Sequence, residues 1–124
     1  MSQDLAARFV DAIASHDRAA LAALLAPDVD FRGLTPGRSW EASDPAQVVG
    51  VLLDHWFEDT DRIEEVTSVE HGEDVADVAR VAYRFQLLND AGPQVAEQQA
   101  YYRVADGRLS YLRIMCSGFR PRPK

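Results

Sequence analysis

Three consecutive strand segments in the C-terminal half, residues 74–88, 94–104 and 108–119, most constrain how this chain can fold. Each segment is rich in Val, Tyr, Phe, Leu and Ile, and the short stretches between them carry Asn, Asp and Gly, which tolerate a left-handed backbone. The spacing predicts three long antiparallel strands. Such a sheet has an apolar face that must be covered, and the residues that can cover it lie earlier in the chain.

The N-terminal half carries three helical patterns and a short hairpin. Apolar residues recur every three or four positions along residues 2–15, and two further helices are predicted after Asp17 and from Pro45 onward. Residues 29–32 alternate apolar and polar side chains and, with residues 39–42, predict a short hairpin between the second and third helices.

Residues 62–71 predict a fourth long strand, and a β-bulge would reconcile its uneven apolar spacing with strand pairing. The order of elements keeps helices and strands apart, which is typical of an α+β fold. We therefore predict one domain over residues 1–119, in which three helices pack on a curved, mostly antiparallel sheet and leave a cone-shaped hollow. Residues 120–124 are predicted to form a flexible basic tail.

Charge and cysteine content limit the kinds of partner and location. The net charge is −7, and ten acidic residues lie between residues 54 and 77 with Arg62 as the only fixed cation there, so a nucleic-acid partner is not expected. Cys116 is the single cysteine, and the three histidines lack metal-ligand spacing, so no disulfide, metal or cofactor is predicted. No signal segment or membrane span is recognisable, and we expect a cytoplasmic protein.

Two segments carry a resemblance to a known family. SHDRAALAALLAPDVDF (residues 15–31) and YYRVADGRLSYLRIMCSGF (residues 101–119) resemble the second-helix and last-hairpin patterns of the nuclear transport factor 2-like superfamily, also called SnoaL-like or ketosteroid-isomerase-like. The resemblance covers nearly the whole chain. It implies the cone-shaped α+β fold, which hosts several unrelated functions.

Strand alternation assigns the residues that line the hollow. The less charged side chains of the last three strands, Val104 among them, should face the helices. With apolar residues from the helices and the first strand, they form a predicted pocket for a small apolar or aromatic ligand. Gln98 is the most informative member, because a buried amide needs hydrogen-bond partners. The predicted pocket residues are Phe9, Ile13, Phe31, Trp56, Tyr83, Phe85, Gln98, Tyr102, Leu112, Ile114 and Cys116.

The resemblance also implies three catalytic arrangements, none of which this sequence matches. The isomerase branch uses a tyrosine, an aspartate base and a protonated aspartic acid, and the corresponding positions hold Phe9, Gly33 and Ala100. Residues 109–119 lack the acid of the polyketide-cyclase branch, and no inward-facing residues match the Asp-Arg-Asp relay of the epoxide-hydrolase branch. The sequence therefore favours a small-molecule-binding protein over an enzyme.

Two alternatives remain open. His55 or Asp30 could serve as the general base of a small cofactor-independent enzyme of the polyketide cyclase, isomerase, lyase or hydrolase type. In the other alternative the pocket is filled and the outer sheet face is a protein-interaction surface, where mixed charges around aromatic residues suit a two-fold interface. The resemblance implies a homodimer through that face, whose predicted residues are Arg84, Tyr101, Arg103, Tyr111, Arg113 and Met115.

Overall fold

A computed structural model describes residues 2–122 and shows helices packed against one face of a seven-stranded sheet. Helix α1 spans Ser2–Ala14, α2 spans Arg18–Ala23 and α3 spans Pro45–Gly50, which continues into a π-helical segment over Val51–Trp56. The strands are β1 (Leu25–Thr35), β2 (Arg38–Ala42), β3 (Arg62–His71), β4 (Ala79–Asn89), β5 (Gly92–Ala105), β6 (Arg108–Cys116) and β7 (Arg120–Pro121). This architecture confirms the predicted α+β fold.

Capping side chains fix where the two short helices begin. Asp17 accepts a hydrogen bond from the backbone N–H of Ala20 at 3.0 Å, and Asp44 accepts one from Gln47 at 2.8 Å. Pro45 follows directly at the first position of α3, where its missing N–H costs no hydrogen bond. The cap at Asp17 and the start at Pro45 agree with the sequence prediction.

The sheet is antiparallel except where β1 meets β6. Its strand order is β2-β1-β6-β5-β4-β3, and β7 pairs with β5 beyond the end of β6. The predicted bulge in β3 is confirmed, because its pairing with β4 shifts register at two places. Strand β1 is longer than residues 29–32, since its pairing with β6 begins already at Leu25 and skips residues 26–29. The sheet therefore has five long strands where the sequence predicted four.

Alternation along the long strands divides the sheet into an inner face toward the helices and an outer face. Val81, Tyr83, Phe85 and Leu87 on β4 are at most 1% exposed, as predicted. The inward assignment of Val104 was wrong, because the β5–β6 register shifts beside it and its side chain is 42% exposed.

Hydrogen bonds hold the first three residues of the predicted tail. Arg120 and Pro121 pair with Val95 and Gln94 as β7, and the backbone N–H of Arg122 donates to the carbonyl of Pro93 at 3.1 Å. The Arg122 guanidinium also contacts the Glu64 carboxylate at 3.2 Å. Residues 123 and 124 lie outside the described residues. Among residues 2–122, each helix is too short or too polar to span a bilayer.

Candidate functional site

The structure brings all the predicted pocket residues together on the inner side of the sheet. Each is at most 8% exposed. Their aromatic rings pack directly on one another: Phe9 lies edge-on to Tyr83 with ring centroids 6.5 Å apart, and Phe31 lies 6.0 Å from Trp56. Side chains therefore occupy much of the predicted hollow.

A polar pair lies within this apolar packing. The Tyr83 hydroxyl donates a hydrogen bond to Oε1 of Gln98 at 2.6 Å, and both residues are only 1% exposed. Nε2 of Gln98 is buried and has no hydrogen-bond partner among the described residues. Burial, and secondly the nearby Cys116, raises the pKa of the Tyr83 phenol well above its usual value of 10.0. The phenol therefore stays protonated and acts as a donor.

A cavity of about 190 Å³ lies where β6 ends, and its exposed lining residues Glu97, Gln99 and Met115 belong to the outer face of the sheet. Two predicted pocket residues, Gln98 and Cys116, line it, and they are direct cross-strand partners. The backbone N–H of Gly118 donates to Sγ of Cys116 at 3.4 Å as the chain leaves β6. The other lining residues are Glu97, Gln99, Met115 and Ser117.

Trp56 fills the space beside Gly33, the position that corresponds to the isomerase base. A Cβ atom added to Gly33 would lie 2.5 Å from Cη2 of Trp56 and 2.7 Å from Cζ2. Trp56 is 6% exposed, and its indole N–H is buried without a partner in the part of the chain that the structure describes. The indole ring thus lies where the side chain of a base at residue 33 would begin.

The two weak catalytic candidates lie at the surface. Asp30 is exposed, and Arg113 donates to its backbone oxygen at 2.9 Å and to its carboxylate at 3.3 Å. His55 is exposed on the π-helical segment, with its ring 5.3 Å from that of Trp40. The structure therefore does not bring either residue to the buried polar pair.

The outer face of the sheet carries a separate groove of about 400 Å³. Three large apolar side chains are exposed there: Leu34 at 50%, Tyr101 at 45% and Met115 at 62%. The sequence prediction included Tyr101 and Met115 but missed Leu34, because it ended β1 at residue 32. The full lining is Arg32, Gly33, Leu34, Ser39, Trp40, Glu41, Tyr101, Arg113, Ile114 and Met115.

Ion pairs surround the apolar side chains of the outer face. Arg84 contacts Glu97 at 3.0 Å and Arg103 contacts Asp77 at 3.2 Å. The guanidinium groups of Arg103 and Arg113 lie over the Tyr111 ring at 4.6 and 4.1 Å. Two further pairs, Arg113–Asp30 and Arg32–Glu41, lie on the β1 side of this face.

Metal-binding groups do not cluster in the described chain. Within residues 2–122, no three His, Cys, Asp or Glu side chains are placed so that they could hold a metal ion.

Comparisons with solved structures support the fold. A protein from Bacillus subtilis, provisionally assigned as an isomerase, superposes with a TM-score of 0.78 at 11% identity, over 92% of this chain and 84% of its own. A provisionally assigned polyketide cyclase from Xanthomonas campestris pv. campestris gives 0.69 at 18% identity, over 91% and 87%. A hypothetical protein with a ketosteroid isomerase-like fold from Catenulispora acidiphila, in complex with trimethylamine, gives 0.68 at 15% identity, over 91% and 85%.

At these identities the structural likeness shows the fold alone. No curated protein matches the sequence. The family model of the SnoaL-like domain matches residues 6–112, which is most of the chain. This protein therefore belongs to the SnoaL-like domain family.

Proposed function

We propose that this protein binds a small apolar or aromatic molecule on the inner side of its sheet, beside the buried Tyr83–Gln98 pair. The observation that carries the proposal is the buried Gln98 amide, whose Nε2 lacks a partner among the described residues. An unsatisfied buried donor costs about 1–3 kcal/mol, so a folded protein rarely keeps one without a use. A bound molecule would contact that amide and the apolar residues around it.

Binding fits the lining better than acid–base catalysis does. The positions of the isomerase triad hold Phe9, Gly33 and Ala100, and the indole of Trp56 lies against Gly33. Tyr83 is a buried titratable group of the inner face, and its raised pKa makes it a poor base at neutral pH. The Catenulispora acidiphila protein with the ketosteroid isomerase-like fold is in complex with trimethylamine, which supports the proposal.

Titration with toluene, followed by the backbone amide signals in NMR, tests the proposal. We expect saturable shifts concentrated at the inner-face residues Tyr83, Gln98, Tyr102 and Cys116. Cys116→Phe, which adds a bulky side chain on the inner face opposite Gln98, should abolish these shifts. Leu34→Ala, on the outer face, is the matched control and should leave them unchanged. Shifts that do not saturate, or that persist unchanged in the Cys116→Phe variant, would refute the proposal.

The outer face favours a second function, the assembly of two copies. Leu34 and Met115 are paired across β1 and β6, and Tyr101 lies on the neighbouring strand, so the exposed apolar side chains form one patch. The four arginines and four acids of the surrounding ion pairs sum to zero charge, whereas the chain as a whole carries −7. The net charge makes two copies repel each other as a whole, and the balanced ion pairs reduce that repulsion at this face.

We therefore propose a homodimer through the predicted outer-face residues, Arg84, Tyr101, Arg103, Tyr111, Arg113 and Met115, extended by Leu34. Sedimentation at micromolar concentration should give twice the chain mass of 13.8 kDa. Met115→Glu should yield monomers, because it buries a charge at the centre of the interface. Val75→Glu is the control, since Val75 is 77% exposed and lies outside this patch. A wild-type species of 13.8 kDa would contradict the proposal.

A further inference from the structure

We infer that the outer-face groove binds an apolar carboxylic acid, whose carboxylate pairs with Arg32 while its apolar body lies over Leu34 and Met115. The inference is independent of the ligand proposed for the inner side, because it concerns the opposite face of the sheet. It rests on the arrangement of side chains along the groove, on the contacts of Arg32 and on the charge and size of the groove.

Strand pairing arranges the groove in two parallel rows of side chains. The first row is polar and crosses four strands through the paired residues Glu41, Arg32, Arg113 and Tyr101. Two residues further along β1 and β6, Leu34 and Met115 are paired and form an exposed apolar row. Residues two apart on a strand are separated by about 6.6 Å. One small amphipathic molecule can therefore contact both rows.

Arg32 provides the unoccupied cationic group of the polar row. It lies directly opposite Arg113, so two positive charges are adjacent across β1 and β6. Arg113 is held by Asp30, whose backbone oxygen and carboxylate both accept hydrogen bonds from its guanidinium. Arg32 has a single ion pair, from Nε to Glu41 at 3.6 Å, and its two terminal nitrogens have no partner within residues 2–122. Those nitrogens form a planar fork that matches the two oxygens of a carboxylate.

The charge of the lining favours an anion over a cation. The charged residues that line the groove are Arg32, Arg113 and Glu41, which sum to +1, whereas the whole chain carries −7. Asp30 lies outside the lining and balances Arg113, which leaves Arg32 with the exposed Glu41 alone. An acidic protein repels anions as a whole, so this local excess of arginine makes the groove a favourable place for a carboxylate.

The size of the groove suits an acid with two fused rings. Its volume of about 400 Å³ lies within the roughly 300–1,000 Å³ of pockets for small molecules. The thioether of Met115 makes favourable contacts with aromatic rings, and Leu34 beside it adds apolar area. An aromatic acid thus places its rings on the apolar row and its carboxylate on Arg32.

The experiment compares 2-naphthoate with 2-naphthamide, which has the same shape but no charge, and with 2-naphthylmethylammonium, which carries a positive charge. Binding is measured by NMR titration, read from the backbone amide signals and the methyl signal of Met115. We expect saturable shifts at residues 32–34 and 113–115. Affinity for 2-naphthoate should be about tenfold higher than for 2-naphthamide, as a charge-assisted pair of hydrogen bonds predicts. The ammonium compound should not bind in the groove.

Two arginine variants test the role of Arg32. Arg32→Gln should remove the preference for 2-naphthoate, and Arg8→Gln should retain it. Arg8 is a matched control on α1, because it is about as exposed as Arg32 and likewise has one ion pair of 3.6 Å, with Asp4. Equal binding of the acid and the amide, an unchanged affinity in Arg32→Gln, or shifts confined to the inner face would overturn the inference. Each of these results leaves the proposal for the inner side standing.

The groove also connects the acid to the second proposed function. Leu34, Tyr101 and Met115 belong to the proposed dimer face, so the acid and a second copy should compete for them; this consequence rests on the proposed dimer. In sedimentation at micromolar concentration, excess 2-naphthoate should raise the share of the 13.8 kDa species more than 2-naphthamide does. A dimer that saturating 2-naphthoate leaves unchanged would overturn the inference. A chain that is monomeric without ligand would refute the dimer alone, because the titration reads the groove directly.

Discussion

The two faces of the sheet differ in how their polar groups are paired. On the inner face, Tyr83 and Gln98 form an uncharged pair enclosed by apolar side chains, and the amide nitrogen of Gln98 has no partner within residues 2–122. On the outer face, arginines and acidic residues form solvent-exposed ion pairs around exposed apolar residues. Exposed ion pairs contribute little to stability, whereas an unsatisfied buried amide is costly. The inner polar groups therefore call for a functional explanation more strongly than the outer ones.

The largest expected effect is a difference in stability between truncations on the two faces. Phe85 is fully buried and packs on Phe57 and Tyr83, so Phe85→Ala should lower the free energy of unfolding by about 4 kcal/mol. Met115→Ala, which removes an exposed side chain, should change it by less than about 0.5 kcal/mol in the monomer. Urea denaturation at submicromolar concentration measures both. Similar losses from the two variants would show that the faces are not distinct.

A smaller effect concerns the packing of Trp56 against Gly33. Gly33→Ala should cost about 2 kcal/mol, because the new methyl group would lie within 3 Å of the indole ring. A phenylalanine at residue 56, as in Trp56→Phe, occupies less space beside residue 33 than the indole does. The double variant should therefore lose less stability than the sum of the losses in the two single variants. Gly50→Ala is the control, since a Cβ atom added there would lie 3.9 Å from the Asp54 carboxylate and alanine favours a helix. Additive losses would show that the indole does not occupy this space.

The smallest effect comes from a surface pair outside both faces. Arg18 donates hydrogen bonds to Asp54 and thereby lowers the pKa of that carboxyl below its ordinary value of 3.8. A lowered folded-state pKa stabilises the protein above the unfolded-state pKa, and this contribution is lost as the pH falls through the folded-state value. Asp54→Asn should therefore lower the melting temperature slightly at neutral pH and leave it unchanged at strongly acidic pH. A larger deficit in acid than at neutral pH would contradict the assignment.

The sequence predicted the fold well because its signals were local. Apolar alternation placed Tyr83, Gln98 and Cys116 on the inner face, and the proline and aspartate signals placed the start of α3. These patterns depend on the period of a strand or helix and need no knowledge of tertiary contacts.

The features that the sequence did not predict depend on contacts between distant segments. The length of β1 follows from its parallel pairing with β6. The contacts that fix Arg122 follow from the pairing of β7 with β5. The packing of Trp56 against Gly33, and the buried Gln98 amide nitrogen that lacks a partner among the described residues, likewise depend on tertiary contacts. Alternation identifies the residues on a face, but it does not show whether they enclose space.

We propose that the protein keeps the Tyr83–Gln98 pair for ligand binding. The most direct test is the free energy of unfolding of the double variant Tyr83→Phe/Gln98→Leu, measured by urea denaturation with and without cyclohexanone, a small neutral molecule with one hydrogen-bond acceptor. Removing both polar partners should leave the ligand-free protein within about 1 kcal/mol of the wild type or more stable, since no polar group remains unpaired. Cyclohexanone should then stabilise the wild type and stabilise the double variant clearly less. A double variant that is much less stable, yet equally stabilised by cyclohexanone, would show that the pair serves the fold alone.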